Sequence, residues 1–303
     1  MNFLLFFFTL FTFLFSKSFS LEFVDVGNEI YVHFGKQEDS NKKNLGDIAN
    51  IGFIVGENSI AVIDTGSSVI FAKKMYKKIR EISKLPISHI VITHSHPDHF
   101  LGTEALMKDK PIIIGHENLN RSLINNFEFY KALQFNLTKD ESLKTTKLIL
   151  ADKFVKKNET LKINLGDRNL IIKAWSSGHT DNDLSVYDEN SKVFWSENIF
   201  VDRIPSIRAS VLGWRKNLGE IQELDINKIV PGHGPIISKK DAITPMIDYF
   251  DQLISEVRNF HKNNKSLDYV LKNISKKNKQ SWLLYDEYHM TNTTKTYTEL
   301  EWE

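Results

Sequence analysis

The stretch Thr93-His-Ser-His-Pro-Asp-His-Phe100, THSHPDHF, puts three histidines and an aspartate within six residues of a chain that has ten histidines in all. The preceding SHIVITH reads as a buried strand, and Pro97 sits near the first turn of a helix predicted over PDHFLGTEALMKD. In extended backbone, residues two apart project to the same side, so His94 and His96 can reach one ion. Asp98 and His99 follow after Pro97 has turned the chain. Zinc takes imidazole nitrogen at about 2.0–2.1 Å and carboxylate oxygen at a similar distance. Four such groups exceed what one open site uses and suit two adjacent ions.

Two distant histidines carry the same local signature. His179 lies in WSSGHTDND, after a strand and within a Gly/Ser turn, and His233 lies in VPGHGP between two glycines that free the backbone to bend. A single loop histidine is ordinarily a surface residue. The set of H-x-H-x-D-H, G-H-T and P-G-H-G-P, each after a strand, points instead to metal. The chain contains no cysteine, so disulfides, lipoprotein acylation and thiolate ligands are excluded, and any metal must use nitrogen and oxygen.

Outward from this stretch the pattern is strands alternating with helices. EFVDVG and IYVHFG alternate apolar and polar. IGFIVG and SIAVIDTG, separated by Glu57 and Asn58, read as a hairpin, and SSVIFAKKMYKKIREISK shows helical spacing. In the second half ETLKINLG, NLIIKAWSSG, DLSVYDEN and SKVFWSEN read as an antiparallel meander. GWRKNLGEIQEL, a short strand NKIVPGHG and a long helix AITPMIDYFDQLISEVRNFHK follow it. Sheets sandwiched between helices are expected, with no linker dividing them.

Residues 1–20, MNFLLFFFTLFTFLFSKSFS, run apolar from Phe3 to Phe15 and then turn small and polar. That is short for a membrane span, which needs about 20 residues, but suits a secretory signal peptide cleaved near Ser20. The expected mature protein is periplasmic or secreted, without stable membrane insertion. Cleavage removes Lys17 and no acid, taking the formal charge from +1 to zero. Neutrality gives no reason to expect nucleic acid as a partner; a small-molecule substrate is expected. Residues 21–262 are assigned to one catalytic domain, and 263–303 to a C-terminal helical extension packed on it.

With these motifs the chain resembles the metallo-β-lactamase superfamily over nearly all of its mature length. THSHPDH, SSGHT and PGHG match the metal motifs, and VIDTG, Val62 to Gly66, matches the strand that brings an aspartate beside the site. The resemblance implies an α/β fold, a four-layer αββα sandwich forming a single domain with the metals at one edge. It also implies that His94, His96 and His179 hold one zinc and Asp98, His99 and His233 the other, with Asp64 fixing loop geometry and histidine orientation. Many hydrolases of this superfamily carry Gly-Asp after the late strand, where that aspartate bridges both metals. VFWSENIF puts Glu197 and Asn198 there. Asn198 is read as a neutral, weak ligand, so two zinc ions are expected with the second held more weakly. Surrounding stretches, among them NIGFIVGENSIAVIDTG, RIPSIRASVLGWRKNLGEI and the terminal LEWE, are similar to the quinoprotein relay system zinc metallohydrolases. That narrower resemblance implies a functional link to a quinoprotein dehydrogenase.

The expected chemistry is hydrolysis of an ester- or amide-type bond. Bound zinc lowers the pKa of its water from 15.7 to about 7, which supplies hydroxide at neutral pH. Asp98 is the catalytic candidate, orienting the attacking water and taking its remaining proton. Phe100, Arg203, Arg208, Trp214 and the loop Lys36–Asn50 are candidates for lining the mouth, although the aromatics also suit the core and the arginines the surface. His116 reads as a polar helix-start residue, and His33, His89, His261 and His289 as ordinary. Two other readings are an antibiotic-hydrolysing β-lactamase and a metal-binding accessory protein with little catalysis.

Overall fold

The computed structural model describes residues 21–303, so the signal-peptide reading of residues 1–20 lies outside the described residues. The first sheet comprises β1 (Val24–Asp25), β2 (Ile30–His33), β3 (Ile51–Val55), β4 (Ile60–Ile63), β5 (Ile87–Val91), β6 (Ile112–His116) and β7 (Lys153–Val155). They lie side by side in chain order, antiparallel as far as β4 and parallel from β4 onward. The second sheet comprises β8 (Thr160–Asn164), β9 (Asn169–Ala174), β10 (Leu184–Asp188), β11 (Val193–Phe200) and β12 (Lys228–His233). The predicted antiparallel meander is β8 to β11, and β12 adds parallel to β11 at the edge.

The unbroken apolar run of β4, buried on both faces, shows why four layers form. Ile60 and Val62 point to one face, where they pack with Phe71, Met75 and Ile79 of α1 (Val69–Ile82) and Leu123 of α3 (Leu119–Thr138). Ala61 and Ile63 point to the other, where they meet Leu170, Ile172 and Trp195 of the second sheet. Beyond the second sheet lie α4 (Val211–Gln222), α5 (Lys239–Lys262), α6 (Leu267–Asn273) and α7 (Tyr285–Leu300), around Trp214, Phe250 and Val257. The result is the αββα sandwich expected from the sequence. Val270, Trp282, Tyr285 and Leu300 are buried in this last layer, so the Lys- and Asn-rich tail packs rather than trailing in solvent. No helix among the described residues is long and apolar enough to cross a membrane.

One element differs from its sequence reading. The helix expected over PDHFLGTEALMKD is split into α2 (Pro97–Phe100) and a 3₁₀ segment, Thr103–Asp109. Gly102 lies at the break, where its N–H donates to the Gly66 carbonyl at 3.1 Å. A Cβ there would come within 2.2 Å of the Thr65 carbonyl oxygen. The chain bends to press α2 onto the loop after β4, which is what the site requires.

Candidate metal centre

The histidine loops converge because of strand direction. β4, β5 and β12 end at the same edge of the sandwich, delivering Asp64, His94 and His233, while the β9–β10 connection brings His179 to that edge. All six expected ligands are buried or nearly so, and they fall into two compact groups. His94, His96 and His179 form one; Asp98, His99 and His233 form another, each with ligand atoms within 4.8 Å of one another. In the first group His96 Nδ1 lies 2.9 Å from His94 Nε2 and 3.0 Å from His179 Nε2. A tetrahedral zinc with bonds of about 2.0–2.1 Å would space such nitrogens roughly 3.3 Å apart, so an outward shift of a few tenths of an ångström accommodates it.

Each distant histidine is aimed by a backbone carbonyl. His179 Nδ1–H donates to the Ser206 carbonyl at 2.8 Å and His233 Nδ1–H to the Ile48 carbonyl at 2.7 Å, which turns both Nε2 lone pairs inward, that of His179 toward His96 Nδ1. Burial holds the His94, His179 and His233 imidazoles well below the usual histidine range and brings His96 down to about 4. All four are therefore neutral at pH 7, the state that ligates.

Asp64 follows β4 and is fully buried. It adopts left-handed backbone, φ 58°, which is uncommon for a residue other than glycine. Its carboxylate accepts from Thr93 N–H at 2.8 Å, Thr93 Oγ1 at 2.7 Å and His99 Nδ1 at 2.8 Å. One aspartate thus fixes the start of the histidine loop and orients the ring at its end. His99 is the one histidine here pushed up: burial favours its neutral form, but Glu197, Asp98 and Asp64 outweigh it. Burial also raises Asp98, and His99 beside it overrides this and holds the carboxyl well below the ordinary range.

Asn198 is not the residue that faces the ligands. It joins neither group, and its amide oxygen and nitrogen are both buried without a hydrogen bond. Its neighbour Glu197 forms a third group with His94 and His99, with Oε2 3.5 Å from His99 Nδ1. The Trp195 indole N–H donates to Glu197 Oε1 at 3.3 Å, so the two side chains share one face of β11, Trp195 in the core between the sheets and Glu197 at the histidines. The sequence reading set Asn198 one residue out of register. The expectation of a weakly held second ion rested on the lack of a carboxylate at this position, and Glu197 places one there.

A polar census tests whether these residues fit a metal. His99 Nε2 and Glu197 Oε2 are buried without a well-formed hydrogen bond, their nearest charged neighbours being Asp98 Oδ2 at 3.3 Å and His99 Nδ1 at 3.5 Å. A buried unpaired polar atom costs about 1–3 kcal/mol, and both atoms belong to groups whose other members point the same way. Burial and the Asp64 and Asp98 carboxylates push Glu197 well above the ordinary carboxyl range, with His99 opposing. This excess of carboxylate and lone pairs fits a dication.

Two supporting residues carried no signal in the sequence. The Asn50 side-chain amide donates at 2.8 Å to the carbonyls of both Pro231 and Gly234, clamping the PGHG turn. Gly234 supplies the bend, with φ 105°, whereas Gly232 supplies room: a Cβ there would lie 2.2 Å from Glu197 Oε2. Among the mouth candidates, Phe100 and Trp214 are core residues, 4% and 0% exposed. Arg203 and Arg208 do line the cavity, together with Asp39, Ser40 and Ile48 of the Lys36–Asn50 loop. Arg203 is buried rather than at the surface. His116 ends β6 and its Nδ1 accepts from Asn118 N–H, the helix-start role expected of it.

The fold and this donor set define a metallohydrolase-type scaffold, and the comparison with known proteins agrees. The metallo-beta-lactamase superfamily model matches residues 45–233, and the chain belongs to that superfamily. A linear primary-alkylsulfatase of Pseudomonas sp. (strain ATCC 19151) is 33% identical over 75 residues, 24% of this chain and 14% of that protein. A stereoselective inverting sec-alkylsulfatase from Pseudomonas sp. superposes with a TM-score of 0.73 at 16% identity, covering 92% of this chain and 50% of its own. A metallo-β-lactamase from Pontibacter korlensis gives a TM-score of 0.61 at 16% identity, over 77% of this chain and 99% of its own. The chain thus spans about half the length of the sec-alkylsulfatase and matches a short part of the primary alkylsulfatase.

Proposed function

We propose that the protein is an exported zinc hydrolase holding two ions: one on His94, His96 and His179, the other on Asp98, His99 and His233, with Glu197 reaching both sets. The observation that carries this reading is the pair of buried atoms without a hydrogen bond, His99 Nε2 and Glu197 Oε2, held only by loose ion contacts and set among neutral imidazoles. When bound, zinc acts as a Lewis acid on the substrate and makes water nucleophilic near neutral pH. The protein's own groups hold the geometry. Asp98, kept ionised beside His99, orients the attacking water and accepts its proton, and Asp64 holds His99 in place. The bond cleaved is of ester or amide type. The likeness to two alkylsulfatases adds sulfate esters to the classes worth testing.

Export, a periplasmic or secreted location and a functional link to a quinoprotein dehydrogenase rest on residues 1–20 and on the sequence resemblance, and belong to this proposal. Metal analysis of the purified protein beside a hydrolysis panel of lactams, lactones, thioesters and sulfate esters tests it. The expected result is about two zinc ions per chain and zinc-dependent turnover of one class. Fewer than about one metal per chain, with no turnover rescued by zinc, overturns it. Rapid hydrolysis confined to lactams would move the assignment to a β-lactamase.

A further inference from the structure

The cavity over the metal centre has two unlike walls. It encloses about 540 Å³ and is lined by His96, Asp98, His179 and His233 at its floor. One wall is α3, which presents Phe129, Leu133 and Leu137 toward it. Spaced by four residues, these lie on one helical face, and they remain 63%, 38% and 41% exposed. An apolar ridge left open beside a polar site marks a binding surface. From Phe129 to Leu137 it runs roughly 12 Å, the reach of a chain of about eight to ten carbons at ordinary bond lengths.

The other wall is cationic. Arg203 is offset by Asp39, 3.3 Å from its Nη2, and by the Tyr288 hydroxyl. Arg208 has no such partner: among the described residues no carboxylate pairs with it, and its guanidinium lies 5.9 Å from the Tyr288 ring centroid. Its backbone N–H donates to the His179 carbonyl at 3.1 Å, which anchors it to the ligand loop. Arg208, His96 and Tyr130 also line an adjoining polar recess of about 400 Å³. The unpaired cation therefore stands where the apolar ridge, the polar recess and the metal donors meet.

We infer that the site takes an amphiphilic anion: its alkyl or acyl chain lies along Phe129, Leu133 and Leu137, and its negative group pairs with Arg208. This rests on the hydrolase reading for the fate of the bound molecule but not for its binding. The occupant is a single small amphiphile, because charge complementarity at Arg208 and the length of the ridge match one chain with one head group.

The test uses alkane-1-sulfonates, which a hydrolase cannot cleave, from butane- to decanesulfonate below their micellar concentrations. Binding to the purified zinc-loaded protein is measured by calorimetry. Kd is expected to fall about threefold to fourfold per added methylene, levelling near ten carbons, and a neutral alkyl glucoside of equal length should bind at least tenfold more weakly. Arg208→Gln should erase the preference for charge while keeping the chain-length slope. Leu133→Ser should flatten the slope while keeping the charge preference. Both side chains face solvent, and unchanged circular dichroism would confirm the fold of each variant. Affinity independent of chain length, or equal for charged and neutral ligands, overturns the inference. So does failure to bind decanesulfonate with co-sedimentation on anionic phosphatidylglycerol vesicles, which would assign the ridge to a lipid surface. Sulfonate binding as expected without turnover of any ester would remove the hydrolase reading alone. Turnover of short neutral esters without sulfonate binding would remove the amphiphile site alone.

Discussion

The two ends of the sandwich bury charge in opposite ways. At the end away from the histidines, Arg168 and Asp188 are both buried and form a two-pronged ion pair at 3.1 and 2.7 Å. The remaining donors are used as well: Arg168 Nη1 reaches the Val55 carbonyl at 2.8 Å, and the Ser191 N–H and hydroxyl both donate to Asp188. This cluster ties the β8–β9 turn to the last residue of β3 in the facing sheet. At the histidine end, Asp64, Asp98 and Glu197 crowd around His99, and two of the converging atoms have loose ion contacts in place of hydrogen bonds. Burial is equal in the two places; satisfaction is not. A closed polar network holds a fold together, whereas an open one is completed by a ligand.

Removing metal should expose this contrast most sharply. Chelation is expected to abolish hydrolysis, restored by added zinc, and to lower the unfolding temperature, since about 2.7 kcal/mol of stabilisation accompanies a ligand at a hundred times its Kd. Activity that survives exhaustive chelation would break the comparison. Next in size, Asp188→Asn should destabilise the protein by about 3–5 kcal/mol, because it leaves Arg168 buried without its counter-charge. Denaturant unfolding reads this, and zinc per folded chain should not change.

The same pair predicts a pH dependence. Burial pushes Asp188 up, but hydrogen bonds from Arg168 and Ser191 and the Arg168 charge outweigh it and hold the carboxyl below its ordinary value. Its contribution is therefore present above the unfolded value of about 4 and lost as pH falls through the lower folded value. The unfolding free energy of Asp188→Asn should accordingly fall less steeply with falling pH in that window than that of the parent.

Asp64→Asn tests the site end at a smaller scale. Asparagine tolerates the left-handed backbone but offers one acceptor oxygen where Thr93 and His99 now use two. A loss of about 10–100-fold in zinc affinity or activity is expected, with a metal-free stability lower by about 1–3 kcal/mol because a buried donor loses its acceptor. Glu197→Gln should have the smallest effect on the fold and the opposite sign to Asp188→Asn. It relieves a buried carboxylate, so the metal-free protein should gain about 1 kcal/mol while retaining less zinc. A metal-free Glu197→Gln protein less stable than its parent would show that this carboxylate is structural.

Much of this was legible because it is periodic or chemically rare. The apolar run of β4 and the meander from β8 to β11 follow from patterns of apolar residues, and the six expected ligands are histidines and an aspartate in unusual settings. Glu197 was missed because register inside an all-buried strand leaves no polarity signal: β11 is buried at every position, so nothing in VFWSENIF shows which of two polar neighbours faces the pocket. Asn50 was missed because its partners are carbonyls distant in sequence. The apolar ridge of α3 was hidden for a related reason. Phe129, Leu133 and Leu137 resemble core positions, and only the packing of α3 shows that they face open space.

Gly232 links the two halves of the late sheet in a way that bears on inheritance. A Cβ there would lie 2.2 Å from the Glu197 carboxylate oxygen and 2.9 Å from the Glu197 Cα, so both the glutamate side chain and the backbone of β11 require the first glycine of the PGHG turn. Gly232→Ala should displace the carboxylate and empty the centre of zinc, and adding Glu197→Asp should recover little of the loss, because the contact with the Cα stays. Among descendants of this chain, glycine should therefore persist at 232 even where position 197 changes.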